Sequence, residues 1–311
     1  MAAFLPIMSG VSCRIRQAEC PRIDDTVFSA NPLLTPAIRT NVRIAGGCLE
    51  IPLLPRWPVL FRGVHSLRRV ISFCGNSCSV LGSIGGYPEV WCTPCGRSAS
   101  GGNLRYFFPC WNRVFVTIEE QSGAWHYSVA FLDACADVLH TVCLTQDSDL
   151  EAFRWWVGLN HAASPGAEIS PHVRSPSRVE GPSGLCEGEV VPLSKQEFSA
   201  LLRRTIQEEI SIQIFVGNDG LTQTAEMRPT HLREDADWIY AADDCCGLRM
   251  RIARLAEIFF HGSSGSTNWA LRAFEPEGRL VCAITPPKES GPGERRETRI
   301  KLEAALEENA K

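Results

Sequence analysis

Nowhere in its 311 residues does the chain hold an apolar run near the roughly 20 residues that a membrane-spanning helix needs, so membrane insertion is not expected. It also lacks an excess of positive charge. Lys and Arg number 31 against 35 Asp and Glu, a net charge of −4. The basic residues come as short pairs, Arg68–Arg69, Arg203–Arg204 and Arg295–Arg296, which read as solvated faces. A protein that grips phosphate backbones carries a clustered basic patch, so nucleic acid is not an expected partner. The opening stretch, "MAAFLPIMSGVSC", lacks the Lys/Arg of a signal-peptide n-region and reads as a cytoplasmic start. No Ser–His–Asp or Cys–His arrangement stands out by spacing.

Cysteine is plentiful instead, with 14 residues at irregular intervals. A chain of this size needs no covalent stapling, which favours reduced, mostly buried thiols over a disulfide scaffold. One segment invites a metal reading. "FCGNSCSVLGSIGGYPEVWCTPCG" spaces Cys74, Cys78, Cys92 and Cys95 as two close pairs, the arrangement that tetrahedral zinc takes from thiolates. A zinc-stabilised module is therefore one alternative. Adjacent Cys245 and Cys246 would bridge only with strain, and Asp235, Asp237, Asp243 and Asp244 read as exposed turns.

Composition divides the chain. Residues 1–51 show little periodicity and are expected to be a poorly structured lead-in. Residues 162–192 are dense in Pro, Gly and Ser and read as a linker. Residues 287–311 begin as a loop and end in a polar helix. Two ordered blocks remain, 52–161 and 193–286. In the first, Trp125, Tyr127, Val129 and Phe131 alternate with small or polar residues, the period-2 pattern of a half-buried strand. "DACAD" then turns the chain and Val138–Leu144 returns it. In the second, Trp269, Leu271 and Ala273 alternate, "EPEG" turns, and Leu280–Ile284 returns.

The blocks keep step with one another. Phe73 and the Gly-Asn pair at 75–76 match Phe215 and the Gly-Asn pair at 217–218, an offset of 142 residues, and Leu132 matches Phe274 at that same offset. Leu104–Arg105 matches Leu248–Arg249 at 144. This spacing marks a duplication. Capping-box spacing predicts helices at 148–160, from Ser148 and Glu151, and at 194–209, from Ser194 and Glu197. The fold class expected is α+β, two tandem repeats, each a large antiparallel sheet with helices packed on one side.

Read in order, "RVISFCGN" (69–76), "NLRYFFPCWNRVFVTIEE" (103–120), "SVAFLDACADVLHTVCLTQDSDLEAF" (128–153), "IQIFVGNDG" (212–220) and "WALRAFEPEGRLVCAI" (269–284) resemble the strands of the HemS/ChuS haemin-utilisation family, related to ChuX and HutX. The likeness covers about two-thirds of the chain. It implies a cytoplasmic protein of bacterial iron acquisition that binds haem or haemin between its two halves. Some members of the family break the macrocycle open and others only carry it, and the sequence leaves the two open. An electron donor and an inner-membrane haem transporter are the partners implied. The family's distal-side Arg, in its "DLR" motif, matches Arg105 in "NLR". Where the family places its axial histidine, at the start of the first helix of the second half, this chain has Lys195 and Gln196. His261 falls where a family Arg meets a propionate and is the nearest replacement histidine. His140 keeps a family position but reads as structural. The departure at 195–196 supports a second alternative, a binding or scaffold protein that keeps the fold without haem.

Overall fold

The structure is a computed structural model that describes residues 43–45, 48–93, 97–121, 124–162, 189–262, 268–288 and 290–309. The chain forms two compact units, one of residues 1–73 and 84–175, the other of residues 74–83 and 176–311. The units depart from a linear cut at one place: Cys74–Ser83 belongs to the second unit although it lies within the first block.

In chain order the first block holds β1 (Arg43–Ala45), β2 (Cys48–Pro52), α1 (Trp57–Val64), β3 (Arg68–Gly75), β4 (Ser79–Gly86), β5 (Trp91–Cys92), β6 (Ser98–Gly101), β7 (Leu104–Phe107), β8 (Arg113–Gln121), β9 (Ala124–Leu132), β10 (Val138–Ser148) and α2 (Leu150–Asn160). Within the first unit the main sheet runs β1-β2-β8-β9-β10-β3, and β5-β6-β7 form a meander. The end of the expected lead-in is thus strand: β2 pairs with β8, with Ile51 opposite Val116. Residues 1–42 lie outside the described residues.

The alternation read in β9 holds. Tyr127, Val129 and Phe131 are buried together with Val114, Val116 and Ile118 of β8, and α1 and α2 cover that face with Leu60, Phe61, Phe153 and Trp156. Burying each large side chain contributes roughly 1.5–3 kcal/mol. The two helices meet closely. Trp156 Nε1–H donates to the Leu60 carbonyl at 3.0 Å, and a Cβ added at Gly63 would lie 1.9 Å from the Trp156 ring.

The cap of α2 differs from expectation. Asp149, not Ser148, is the N-cap, and its carboxylate accepts from the Ala152 N–H at 2.9 Å. Ser148 ends β10, where its hydroxyl accepts from the Thr145 N–H and donates to the Arg69 carbonyl. A side chain already bound to two backbone groups is not free to cap.

The second block holds β11 (Glu189–Pro192), α3 (Lys195–Gln207), β12 (Ile212–Gly217), β13 (Leu221–Met227), β14 (His231–Glu234), β15 (Ile239–Ala242), β16 (Cys246–Met250), β17 (Glu257–Gly262), β18 (Trp269–Phe274), β19 (Leu280–Thr285) and α4 (Pro292–Asn309). Its main sheet runs β11-β17-β18-β19-β12-β13, and β14-β15-β16 continue through β16 to β4. Residues 189–192, counted with the linker in the sequence, pair with β17, while 163–188 lie outside the described residues. The capping box of α3 is formed: Ser194 Oγ accepts from the Glu197 N–H at 3.2 Å, and the Glu197 carboxylate accepts from the Ser194 N–H at 2.7 Å. Helix α4 joins the second unit, with Leu302 and Ala305 buried and Lys301 3.7 Å from Glu208 just past the end of α3.

The fold is α+β, with two tandem repeats of antiparallel sheet and helices on one side. The duplication shows in small details. Both returning hairpins close with the same five-residue turn: the Asp133 N–H donates to the Asp137 carbonyl, and the Glu275 N–H to the Arg279 carbonyl. The left-handed position of that turn is Gly278 (φ 73°) in one copy and Ala136 (φ 66°) in the other. The repeated Gly-Asn pairs have a role of their own. Asn76 Nδ2 donates to the Gly217 carbonyl at 3.1 Å, and Asn218 Nδ2 donates to the Gly75 carbonyl at 2.8 Å. Each side-chain oxygen also accepts N–H bonds within its own turn, from Cys78 and Ser79 at Asn76 and from Gly220 and Leu221 at Asn218.

Candidate functional site

Arg105 sits in β7 and points outward. The burial of that strand alternates, with Leu104 and Tyr106 inside and Arg105 and Phe107 outside, as the period of 2 requires. The register places Arg105 opposite Ser100 of β6, and Ser100 opposite Trp91 of β5. Residues directly opposite share a face, so Trp91, Ser100 and Arg105 form one row across three strands, about 5 Å per step. Phe107 stands beside them, opposite Ser98. Two large apolar side chains are left in solvent here: Trp91 is 68% exposed and Phe107 45%. A flat face with an indole, a phenyl and a guanidinium suits a planar apolar ligand that carries carboxylates.

The opposite face of this meander is sealed. Phe61, Tyr106, Phe108, Trp111 and Phe131 pack ring on ring, Phe61 and Tyr106 at 4.6 Å between centroids. Through them runs a buried polar chain. The Tyr106 hydroxyl donates to Tyr87 at 2.8 Å, Tyr87 meets His140 Nε2 at 2.9 Å, and His140 Nδ1 meets the Phe73 carbonyl at 2.7 Å. Only the neutral Nδ1–H imidazole satisfies both neighbours, and burial pushes its pKa down to about 4. His140 is a structural residue.

In the second unit the outward face of β17 and β18 carries Phe259, His261, Arg272 and Phe274. His261 lies opposite Ala270, Phe259 opposite Arg272, and Val190 of β11 opposite His261. The Phe259 and His261 rings meet edge to face at 6.0 Å. His261 is half-buried, and its Nε2 is shut from solvent with no hydrogen-bond partner among the described residues. Burial, and then the Arg272 charge, push its pKa down.

The other residues singled out from sequence fall elsewhere. Lys195 opens α3 in solvent, with Nζ donating to the Ala253 carbonyl at 3.0 Å, and Gln196 beside it is exposed. The Cys74 thiol is buried, 3.6 Å from the Val216 carbonyl, and burial raises its pKa strongly. The Cys78 thiol faces the Glu275 carboxylate at 3.9 Å. Cys92 lies in β5, and Cys95 lies outside the described residues. Among the described residues no group of three or more His, Cys, Asp or Glu is placed to hold a metal ion. Trp91 and Phe107 were not singled out from the sequence. The sequence shows neither the pairing of these short strands nor which face of the meander is covered.

No family model matches the chain, and neither does any curated protein. Solved structures do match. One is holo-PhuS, a heme-binding protein from Pseudomonas aeruginosa, with TM-score 0.72 and 22% identity over 82% of this chain and 86% of that one. The fold is that of PhuS. Another is ChuS, an E. coli heme oxygenase, with TM-score 0.67 and 16% identity over 81% of this chain and 88% of that one. At these identities the likeness carries the backbone and not the chemistry, so the side chains above decide what the scaffold can do here.

Haem fits those side chains on one observation: the outward face of β5–β7 offers aromatic area beside a guanidinium.

Proposed function

We propose that this protein binds haem and handles it in the cytoplasm during bacterial iron acquisition. The observation that carries this reading is the outward row of Trp91 and Arg105, with Phe107 beside it, on a fold shared with PhuS and ChuS. Trp91 and Phe107 supply apolar area for the macrocycle, and Arg105 supplies a fixed positive fork for a propionate. When bound, haem would supply the iron on which carriage or ring opening depends, and both uses begin with this binding step. Ring opening would add an electron donor, and delivery would link the protein to an inner-membrane haem transporter.

Haemin titration followed by absorbance tests the reading. A saturable Soret shift at micromolar protein is expected, weakened by Arg105→Ala and by Trp91→Ala. If no shift occurs, the haem role falls and the scaffold reading takes its place. That reading has its own support in Lys195, which stands where the related family has its helix histidine and whose ammonium is occupied with the Ala253 carbonyl.

A further inference from the structure

The helical side of the first unit carries an apolar stripe turned to solvent. Helix α2 buries Phe153, Trp156 and Val157, yet its other side presents Trp155, 70% exposed, and Leu159, 57%. Four residues apart, the two side chains neighbour one another along the helix. Helix α1 runs antiparallel beside α2: the Leu54 N–H donates to the Asn160 carbonyl, the Leu60 carbonyl accepts from Trp156, and the Leu67 carbonyl accepts from the Asp149 N–H. Val59, exposed on α1, therefore stands level with the Leu159 end of α2. An exposed apolar stripe of this kind marks a docking face.

The entry of the chain into the unit points to the occupant. Strand β1 pairs antiparallel with β2, Arg43 opposite Glu50 and Ala45 opposite Cys48. Arg43 thus lies toward the Pro52 end of β2, about 8 Å from Pro52 by strand spacing and rise. That end is tied to the close of α2: the Ala162 N–H donates to the Pro52 carbonyl at 2.9 Å, and Leu53 bridges to His161. The 42 residues before Arg43 consequently arrive beside the Leu159 end of the stripe.

Their sequence suits the task. From Thr26 to Ile38, "TVFSANPLLTPAI" holds no charge and offers Val27, Phe28, Leu33, Leu34 and Ile38. Ile38 precedes Arg43 by five residues, a reach of up to about 17 Å. The path along α2 from its end to Trp155 is about 8 Å. Charge agrees at the rim, where Arg56 and Arg62 are exposed and Asp24 and Asp25 precede the apolar stretch. Residues 163–188 also leave from the end of α2, but Glu168, Arg174, Arg178 and Glu180 interrupt their apolar residues.

We propose that residues 26–38 dock on this stripe as a strap, their apolar side chains covering Trp155, Leu159 and Val59. The strap needs no haem.

Trypsin cleavage after Arg39 of the full chain, timed by mass spectrometry under native conditions, tests it. Trp155→Glu and Leu159→Glu together are expected to speed that cut at least tenfold while circular dichroism is unchanged. Leu33→Glu with Leu34→Glu, which alter the strap and leave the helix intact, should speed it equally. All four changes combined should speed it no more than either pair. Val138→Glu, at an exposed apolar residue on a hairpin, should keep the wild-type rate. An unchanged rate in both pairs would overturn the strap. Faster cutting after Arg174 or Arg178 alone would overturn it by assigning the stripe to residues 163–188. A wild-type dimer in light scattering that Trp155→Glu makes monomeric, with the cut after Arg39 unaffected, would overturn it in favour of a second copy.

Discussion

Arg105 and Arg249 hold the same place in the two repeats, yet they have opposite surroundings. In the first repeat the row reads Trp91, Ser100, Arg105, with Phe107 beside it. In the second it reads Arg233, Tyr240, Arg249, with Arg251 in the position of Phe107. There Tyr240 stands between two arginines, and the nearby Trp238 already has the Arg249 guanidinium over its ring at 4.0 Å, with Arg251 at 5.7 Å. The first face leaves its indole bare and the second covers its own. Duplication supplied two equal platforms, and substitution left one able to stack on a flat molecule while the other stacks on itself.

The cores diverged in the same way. The buried chain Tyr106–Tyr87–His140 of the first unit has Met250 and Cys282 at the places of Tyr106 and His140. The first core is aromatic with hydrogen bonds threaded through it. The second is aliphatic at those places, around Ile212, Ile214, Leu248 and Met250, and keeps its buried rings elsewhere, at Phe198, Phe260 and Trp269.

These contrasts can be tested in turn. The largest effect should come at Gly63, where the first unit packs two helices against an indole. Gly63→Ala places a methyl inside the Trp156 ring, and that ring is pinned by its bond to the Leu60 carbonyl, so a loss of about 3 kcal/mol is expected in denaturant unfolding. Of similar size is the acid limb of stability. His140 is neutral when folded, burial holding its pKa at about 4 against 6.5 for an unburied imidazole, so the unfolded chain takes up its proton first as pH falls. The contribution is whole above pH 6.5 and is lost at about 1.4 kcal/mol per unit between 6.5 and 4, levelling off below. Unfolding midpoints measured across that range would show the slope, and its absence would mean that His140 is hydrated. A third contrast is in binding. Arg105→Ala should weaken haemin by about 2 kcal/mol, roughly thirtyfold, while Arg249→Ala leaves it within twofold, about 0.4 kcal/mol. Equal losses in the two variants would mean that the faces are not distinct. The smallest effect is at the turns. Ala136→Gly should stabilise by about 0.5–1 kcal/mol and Gly278→Ala should destabilise by a similar amount, since one left-handed position holds the wrong residue and the other the right one.

The duplication was readable from the sequence because a hairpin turn tolerates few substitutes: the Gly-Asn pairs and the five-residue turns kept their spacing where the cores did not. The cap of α3 was readable for a similar local reason. Helix α1 was not, because it has no side-chain cap and begins at Trp57–Pro58, leaving only a short apolar stripe. The cap of α2 was misplaced by one residue because Ser148 bonds to a distant strand, which no local pattern reports. At the site, Arg105 came from a family likeness. Its partners Trp91 and Phe107 required the strand register.

The reciprocal hold of Asn76 and Asn218 has a consequence for how this gene could be cut. Each asparagine finishes the turn of the other copy, and β4 finds its strand partner in β16. A polypeptide ended at residue 162 would contain every letter of the first repeat but would leave Gly75 and the edge of β4 without their hydrogen-bond partners. Halves made separately should therefore be sticky and poorly folded apart, and should regain order on mixing. What was once two copies has become a single inheritance unit.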